Sequence, residues 1–192
     1  MKKVIVIGAT GSLAAYVIEA LKAMDNVALT LFARNTNRLS IWANEGCTFV
    51  QGDAMNFTDV KNAIIGQDMV YINLAGNLEV MAKNIVQAMQ ETGVQRIIAI
   101  SSIGIYNTPL KPILKPYRAL ADVIESSGLQ YTILRPDWFT DANEIGYAIT
   151  QKGQPETGTA ISRKSIAAFV ANIIMNPESH LNDNLGISKP IY

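Results

Sequence analysis

Cysteine, histidine and net charge are what this sequence of 192 residues has least of. Cys47 is its one cysteine and His180 its one histidine. A single cysteine closes no intramolecular disulfide, and no signal-peptide pattern opens the sequence, so a reducing, cytoplasmic setting is expected. Cys/His metal clusters are excluded by count, and no metal site is expected. Ser-His-Asp and Cys-His relays are excluded unless His180 serves. That residue reads as a solvated surface histidine, in a loop with Asn176 and Pro177. Sixteen Lys and Arg balance 16 Asp and Glu, so there is no basic excess for nucleic acid or a membrane surface. Apolar runs such as Val4-Ile5-Val6-Ile7 fall far below the roughly 20 residues of a membrane span. An enzyme built on this chain has few side chains for proton transfer near neutral pH.

Core-forming residues are plentiful. Hydrophobic residues make up 49% and charged ones 17%, which suits one compact domain rather than a disordered chain. The short β-branched runs are the length of strands buried on both faces. Strands are expected over residues 3–8, 27–33, 47–51, 68–74, 95–101 and 130–134, the last stopped by Pro136. Helices are expected over 12–24, 58–65, 78–92, 119–127 and 162–175, with a short helix at 37–43. Gly93 and Gly128 read as helix stops, Ser162 as an N-cap, and Pro177 as a terminator. The segment with Pro109, Pro112 and Pro116 reads as a loop, because proline opposes regular structure. Short apolar runs at 147–150 and 159–161 precede the last helix. Alternating strand and helix predicts right-handed βαβ units: an α/β, Rossmann-like, doubly wound parallel sheet in one domain, residues 1–192. Residues from about 137 onward are expected to add a small substrate-side extension.

Between the first strand and first helix stands Gly8-Ala9-Thr10-Gly11-Ser12-Leu13-Ala14. Gly8 permits a tight turn, Gly11 lets backbone approach a pyrophosphate, and Ala14 lets the helix pack on the sheet. Backbone N–H groups at the helix start, through Ser12 and Leu13, with the Thr10 and Ser12 hydroxyls, can bond phosphates. The bland alternative is an ordinary turn. The second strand ends Phe32-Ala33-Arg34-Asn35, with Arg38 one turn on and no carboxylate between Asp25 and Glu45. A free ribose 2′-OH usually meets an acid here and a 2′-phosphate meets arginine, so NADP(H) is expected over NAD(H). Otherwise the two arginines are solvated surface charges. Asp53, beside Ala54, either accepts from an adenine amino group or caps the turn near Asn56. Leu74, Ala75 and Gly76 leave room for ribose and nicotinamide at the end of the fourth strand, or simply form a turn.

Together VIVIGATG, LFARN, GDAMN, NLAGN, AISSIG, SSGLQYTILRP and ISRKSIAAFV resemble the short-chain dehydrogenase/reductase superfamily, in its atypical, NmrA-like NAD(P)-binding branch. Length and spacing are most similar to small NADPH-dependent reductases of the flavin reductase/biliverdin-IX-beta reductase type. The resemblance implies a Rossmann-like fold, a bound nicotinamide dinucleotide and a substrate site over the carboxyl edge of the sheet. It departs in one respect. No tyrosine is followed four residues later by lysine, so the superfamily's Tyr-x-x-x-Lys proton donor is missing. Tyr117, flanked by Lys115 and Arg118, lies near the expected helix at the wrong spacing.

By that resemblance Ser101 and Ser102 end the fifth strand beside the nicotinamide. Ser102 then orients a ring or relays a proton, unless it only satisfies loose backbone at the strand end. Tyr106 walls the acceptor or donates its phenol, unless it is loop packing. Pro136 brings backbone close to the nicotinamide. Trp138, with Tyr117, contacts a planar substrate, unless Trp138 is a core aromatic. Two functions are expected to compete: an NADPH-dependent reductase of a flavin, quinone or similar planar small molecule, and a non-catalytic NADP(H)-binding redox sensor. Either acts as a monomer or homodimer.

Overall fold

The computed structural model describes residues 1–42 and 46–191. The expected short helix ends at Ala43, outside the described residues; a 3-10 helix over Thr36–Trp42 occupies most of that stretch.

Six βαβ-type strands lie where hydrophobicity placed them: β1 (Lys2–Ile7), β2 (Val27–Ala33), β3 (Thr48–Gln51), β4 (Met69–Ile72), β5 (Arg96–Ile100) and β6 (Gln130–Pro136). The helices between them are α1 (Ser12–Lys22), α2 (Phe57–Ile64), α3 (Leu78–Thr92) and α4 (Lys115–Glu125). The chain then adds β7 (Phe139–Thr140), β8 (Ala148–Gln151), β9 (Ile161–Ser162), α5 (Arg163–Met175) and β10 (Asp183–Ser188). The main sheet runs β3-β2-β1-β4-β5-β6-β10-β8. All neighbours are parallel except β8, which runs antiparallel on β10. β7 and β9 form a small parallel pair of their own.

Alternation along β1 divides the core. Val4 and Val6 join Leu13, Val17 and Leu21 of α1 and Ile166, Val170 and Ile174 of α5 on one face. Ile5 and Ile7 join α2, α3 and α4 through Val60, Ile85, Met89, Leu120 and Ile124 on the other. Each such side chain, fully buried, contributes about 1.5–3 kcal/mol. Two-faced burial is why these strands carry continuous apolar runs. Among the described residues no helix is long and apolar enough to cross a membrane.

Two of the expected caps are present, whereas α4 ends at Glu125 with Ser126 at its C-cap, ahead of the expected stop at Gly128. Gly93 closes α3 at φ +78°, and Ser162 Oγ accepts from the Ser165 N–H at 3.0 Å at the head of α5. Three expectations need correction. α4 begins at Lys115, not Ala119, because Pro116 sits in its first turn, where a missing N–H costs nothing; Pro112 likewise opens a 3-10 turn, Pro112–Leu114. β6 continues through Pro136, paired with Ile187. The residues after α5, where no strand is expected, form β10 over Asp183–Ser188 inside the sheet. Its residues Asp183, Asn184 and Ser188 mask the strand pattern, yet Asn184 and Ser188 are buried.

His180 is also not a solvated side chain. It is half-buried, its ring lies 5.2 Å from that of Phe169, and its Nδ1 is 3.1 Å from Asp183 Oδ2. Backbone at φ +54° turns the chain there into β10.

Candidate functional site

A cleft of about 1150 Å³ opens along the carboxyl edge of the parallel strands. Strand order reverses at β1, so the loops after β2 and β3 diverge from those after β4, β5 and β6. That crevice is where open α/β sheets hold ligands.

At its centre is the turn from β1 to α1. Gly8 holds φ +89°, and a Cβ there would stand 2.1 Å from the Asn73 carbonyl oxygen. Gly11 has φ −71°, open to any residue, but its Cβ would stand 2.6 Å from Asn73 Nδ2. The turn is closed by the Gly11 N–H donating to the Gly8 carbonyl at 3.0 Å. α1 then starts with no side-chain cap and no acidic residue in its first turn, while Thr10, Ser12 and Leu13 line the cleft. Uncapped N–H groups and the positive end of the helix dipole form an anion site, so this donor set fits a pyrophosphate.

The end after β2 carries Arg34 and Arg38, both exposed and lining the cleft. Among the described residues neither guanidinium has a carboxylate partner. An Asx turn, in which Asn35 Oδ1 accepts from the Asn37 N–H at 3.0 Å, leads the chain from one arginine toward the other. Asp53 and Ala54 follow β3 in the same wall. Asp53 Oδ1 accepts from the Met55 N–H at 2.9 Å, a turn cap; its other oxygen has no hydrogen-bond partner among the described residues. The Ala54 carbonyl is held by Asn84 Nδ2 at 3.0 Å.

The opposite end is built by the loops after β4, β5 and β6. Leu74, Ala75 and Gly76 line it, followed by Ser101, Ser102, Tyr117, Pro136 and Trp138. Ser101 is buried and its Oγ donates to the Tyr117 carbonyl at 3.0 Å, which ties the end of β5 to α4. Ser102 Oγ, half-buried, donates to the Ile103 carbonyl at 3.2 Å. Trp138 is 83% exposed, which excludes the core-aromatic alternative. Ile113, 76% exposed, shares the mouth with it.

Tyr106 is the candidate that the structure takes away from the cleft. Its phenol donates to Glu125 Oε1 at 3.4 Å and accepts from Asn184 Nδ2 at 2.7 Å, on the far side of its loop. Burial, reinforced by the Glu125 charge, pushes the phenol above its ordinary value, with Lys152 and Arg135 opposing. The loop-packing alternative fits it. Residues that were not anticipated also line the cleft, notably Phe32, Asn73, Lys111 and Ile113. Phe32 had a signal: Gly52 is needed where a Cβ would stand 2.6 Å from its ring. Lys111 and Ile113 lay hidden in the proline-rich stretch.

Comparison with known proteins agrees with this geometry. A family model described as NAD(P)H-binding matches residues 8–177. Quinone oxidoreductase 2 of Escherichia coli K12 is 26% identical over 179 residues; the match covers 87% of this chain and 62% of that protein's length. A Rossmann-fold NAD(P)-binding family protein from Shigella flexneri is 41% identical at a TM-score of 0.92, covering 99% of this chain and 94% of that one. A short-chain dehydrogenase/reductase from Veillonella parvula, solved in complex with NADP, superposes at a TM-score of 0.89 with 21% identity, covering 98% and 95% of the two chains. With its glycine turn, uncapped helix and carboxyl-edge cleft, this chain belongs to the NAD(P)H-binding family of Rossmann-like proteins.

Proposed function

We propose that the protein is an NADPH-dependent reductase of a flavin, quinone or similar planar acceptor. The observation that carries it is the division of one cleft into two unlike ends. One end offers two arginines that have no acidic partner among the described residues; the other offers an exposed indole and an exposed isoleucine.

When bound, a reduced nicotinamide supplies a hydride. The chain's own residues bind, orient and exclude water. The turn Gly8–Gly11 and the first N–H groups of α1 hold the pyrophosphate. Arg34 and Arg38 fork onto a 2′-phosphate, which a free hydroxyl does not reward. Pro136 and the small residues after β4 would hold the nicotinamide. Trp138 and Tyr117 hold a flat acceptor against it, and Ser102 orients the ring or passes a proton from water. Ring-to-ring hydride transfer depends chiefly on placement and requires little acid–base help. That suits a site without a Tyr-x-x-x-Lys pair. The quinone oxidoreductase and NADP-complexed relatives lend support to this reading.

The test is NADPH oxidation, followed optically, with FMN, simple quinones and biliverdin as acceptors. Turnover with at least one is expected. Tight NADPH binding with none of them reduced would overturn the reading and favour a dinucleotide-responsive sensor.

A further inference from the structure

Beneath the acceptor end lies a buried charge cluster that the proposed chemistry does not use directly. Arg135, the residue before Pro136, is 1% exposed. Its Nε donates to Glu156 Oε1 at 2.7 Å, and its Nη1 donates to the Asn184 carbonyl at 2.7 Å and to Asn184 Oδ1. The second oxygen of Glu156 accepts from the Gly104 N–H at 2.9 Å. Gly104 lines the cleft two residues after Ser102, at φ +79°. One carboxylate thus grips the ends of two wall-forming segments. It arrives from the stretch between β8 and β9, which is anchored on β10 where Ser188 Oγ donates to the Thr157 carbonyl at 2.9 Å.

We propose that Glu156 is a positioning residue for the acceptor site. It touches neither cofactor nor acceptor. It fixes the Ser102–Gly104 wall against the end of β6, and it balances the buried Arg135 charge. A bond from a backbone N–H to a carboxylate that is itself paired with a buried guanidinium is among the stronger ones in a protein. The Ser102 side is therefore rigid before any ligand arrives, which is what hydride transfer between stacked rings requires. This inference rests on the reductase reading for its functional consequence.

The experiment compares Glu156→Ala and Glu156→Gln with the full-length protein loaded with NADP⁺. Gln keeps an oxygen for the Gly104 N–H but turns an amide N–H toward Arg135 and removes the charge that balances it; Ala keeps neither oxygen. Amide exchange at Gly104 is expected to accelerate at least tenfold in Glu156→Ala and by less in Glu156→Gln, with Gly8 and Gly11 unchanged. In turnover, Glu156→Ala is expected to raise KM for the acceptor and lower kcat, each several-fold, with the Kd for NADPH held within twofold, and Glu156→Gln to fall between Glu156→Ala and wild type. Unchanged exchange at Gly104 in Glu156→Ala overturns the proposal. So does a parallel loss of cofactor and acceptor affinity. A wild-type protein that reduces no acceptor removes the reductase reading, while the exchange data still decide whether Glu156 holds the wall.

Discussion

The two glycines of the first turn answer to different constraints, and substitution separates them. At Gly8 the backbone is at φ +89°, and a methyl group would stand 2.1 Å from a main-chain oxygen of β4's trailing loop. A side chain in that region costs about 1–2 kcal/mol, and main-chain displacement adds comparable strain, so Gly8→Ala should lose about 2–4 kcal/mol. For a chain of this size that is a fall in Tm of about 4–16 °C. At Gly11 the backbone is at φ −71°, which alanine adopts freely, and the atom 2.6 Å away is the end of the Asn73 side chain. Rotation of that amide relieves the overlap, so Gly11→Ala should lower Tm by no more than about 2–4 °C, equivalent to roughly 1 kcal/mol. On the proposed binding mode, in which Gly11 lets the backbone approach a pyrophosphate, that methyl group obstructs the approach. Fluorescence titration should show NADPH and NADH both weakened at least tenfold, equivalent to about 1.4 kcal/mol. A folded Gly11→Ala protein that binds both nucleotides like wild type would refute the placement of the pyrophosphate.

Three other outcomes follow from the same geometry. Arg34→Ala with Arg38→Ala should weaken NADPH about 10–100-fold and NADH less than threefold in parallel titrations, and the difference should shrink at high salt; equal losses would mean that neither arginine reads the 2′-phosphate. Tyr106→Phe should leave kcat/KM for any acceptor within twofold while lowering Tm by about 4–8 °C through two lost hydrogen bonds, to Glu125 and from Asn184; a tenfold loss of turnover in a folded protein would return the phenol to the active site. Burial acts to raise the Glu125 carboxyl, but hydrogen bonds from Lys152, Asn184 and Tyr106 outweigh it and hold the group below its ordinary value. Its stabilising contribution is therefore full above the unfolded value of about 4.3 and is lost as pH falls through the lower folded value, so urea midpoints should drop between about pH 5 and pH 3 in wild type and drop less in Glu125→Gln.

The parallel sheet was legible because its strands are buried on both faces and so advertise themselves as Val4–Ile7 or Ile97–Ile100. The glycine turn was legible because backbone conformation and close approach restrict residue type locally. β10 was not, since its polar residues are satisfied by distant partners: Arg135 reaches Asn184, and Thr157 receives Ser188 Oγ. No local pattern reports a hydrogen bond across tens of residues. The start of α4 was obscured for the opposite reason, because proline is hostile inside a helix and welcome at its first turn. Trp138 and Tyr106 show the same limit at the site. Both are aromatics near strand ends, and only the path of the chain turns one into the cleft and the other away from it.

That divergence bears on the chemistry. Tyr106 and Lys152 lie 46 residues apart in sequence, yet Lys152 Nζ is 4.7 Å from the centre of the Tyr106 ring, the kind of neighbour that could lower a phenol's pKa. Here it does not prevail. Burial and the adjacent Glu125 raise the phenol, and Lys152 is itself held by both Glu125 oxygens at 2.8 and 2.7 Å. The hydroxyl is further engaged by Asn184 and is absent from the cleft lining. A tyrosine so placed lies off the cleft and keeps its proton near neutral pH. Among the described residues, the hydroxyls lining that end of the cleft belong to Ser101, Ser102 and Tyr117, and Ser101 is committed to a backbone carbonyl. Acceptors that need a strong proton donor with the hydride, such as simple ketones, are poorly served by that set. Conjugated rings, which spread the incoming charge and take their proton from water, are well served. The scarcity of acid–base residues in the sequence and the turning away of Tyr106 in the fold thus favour the same acceptor class.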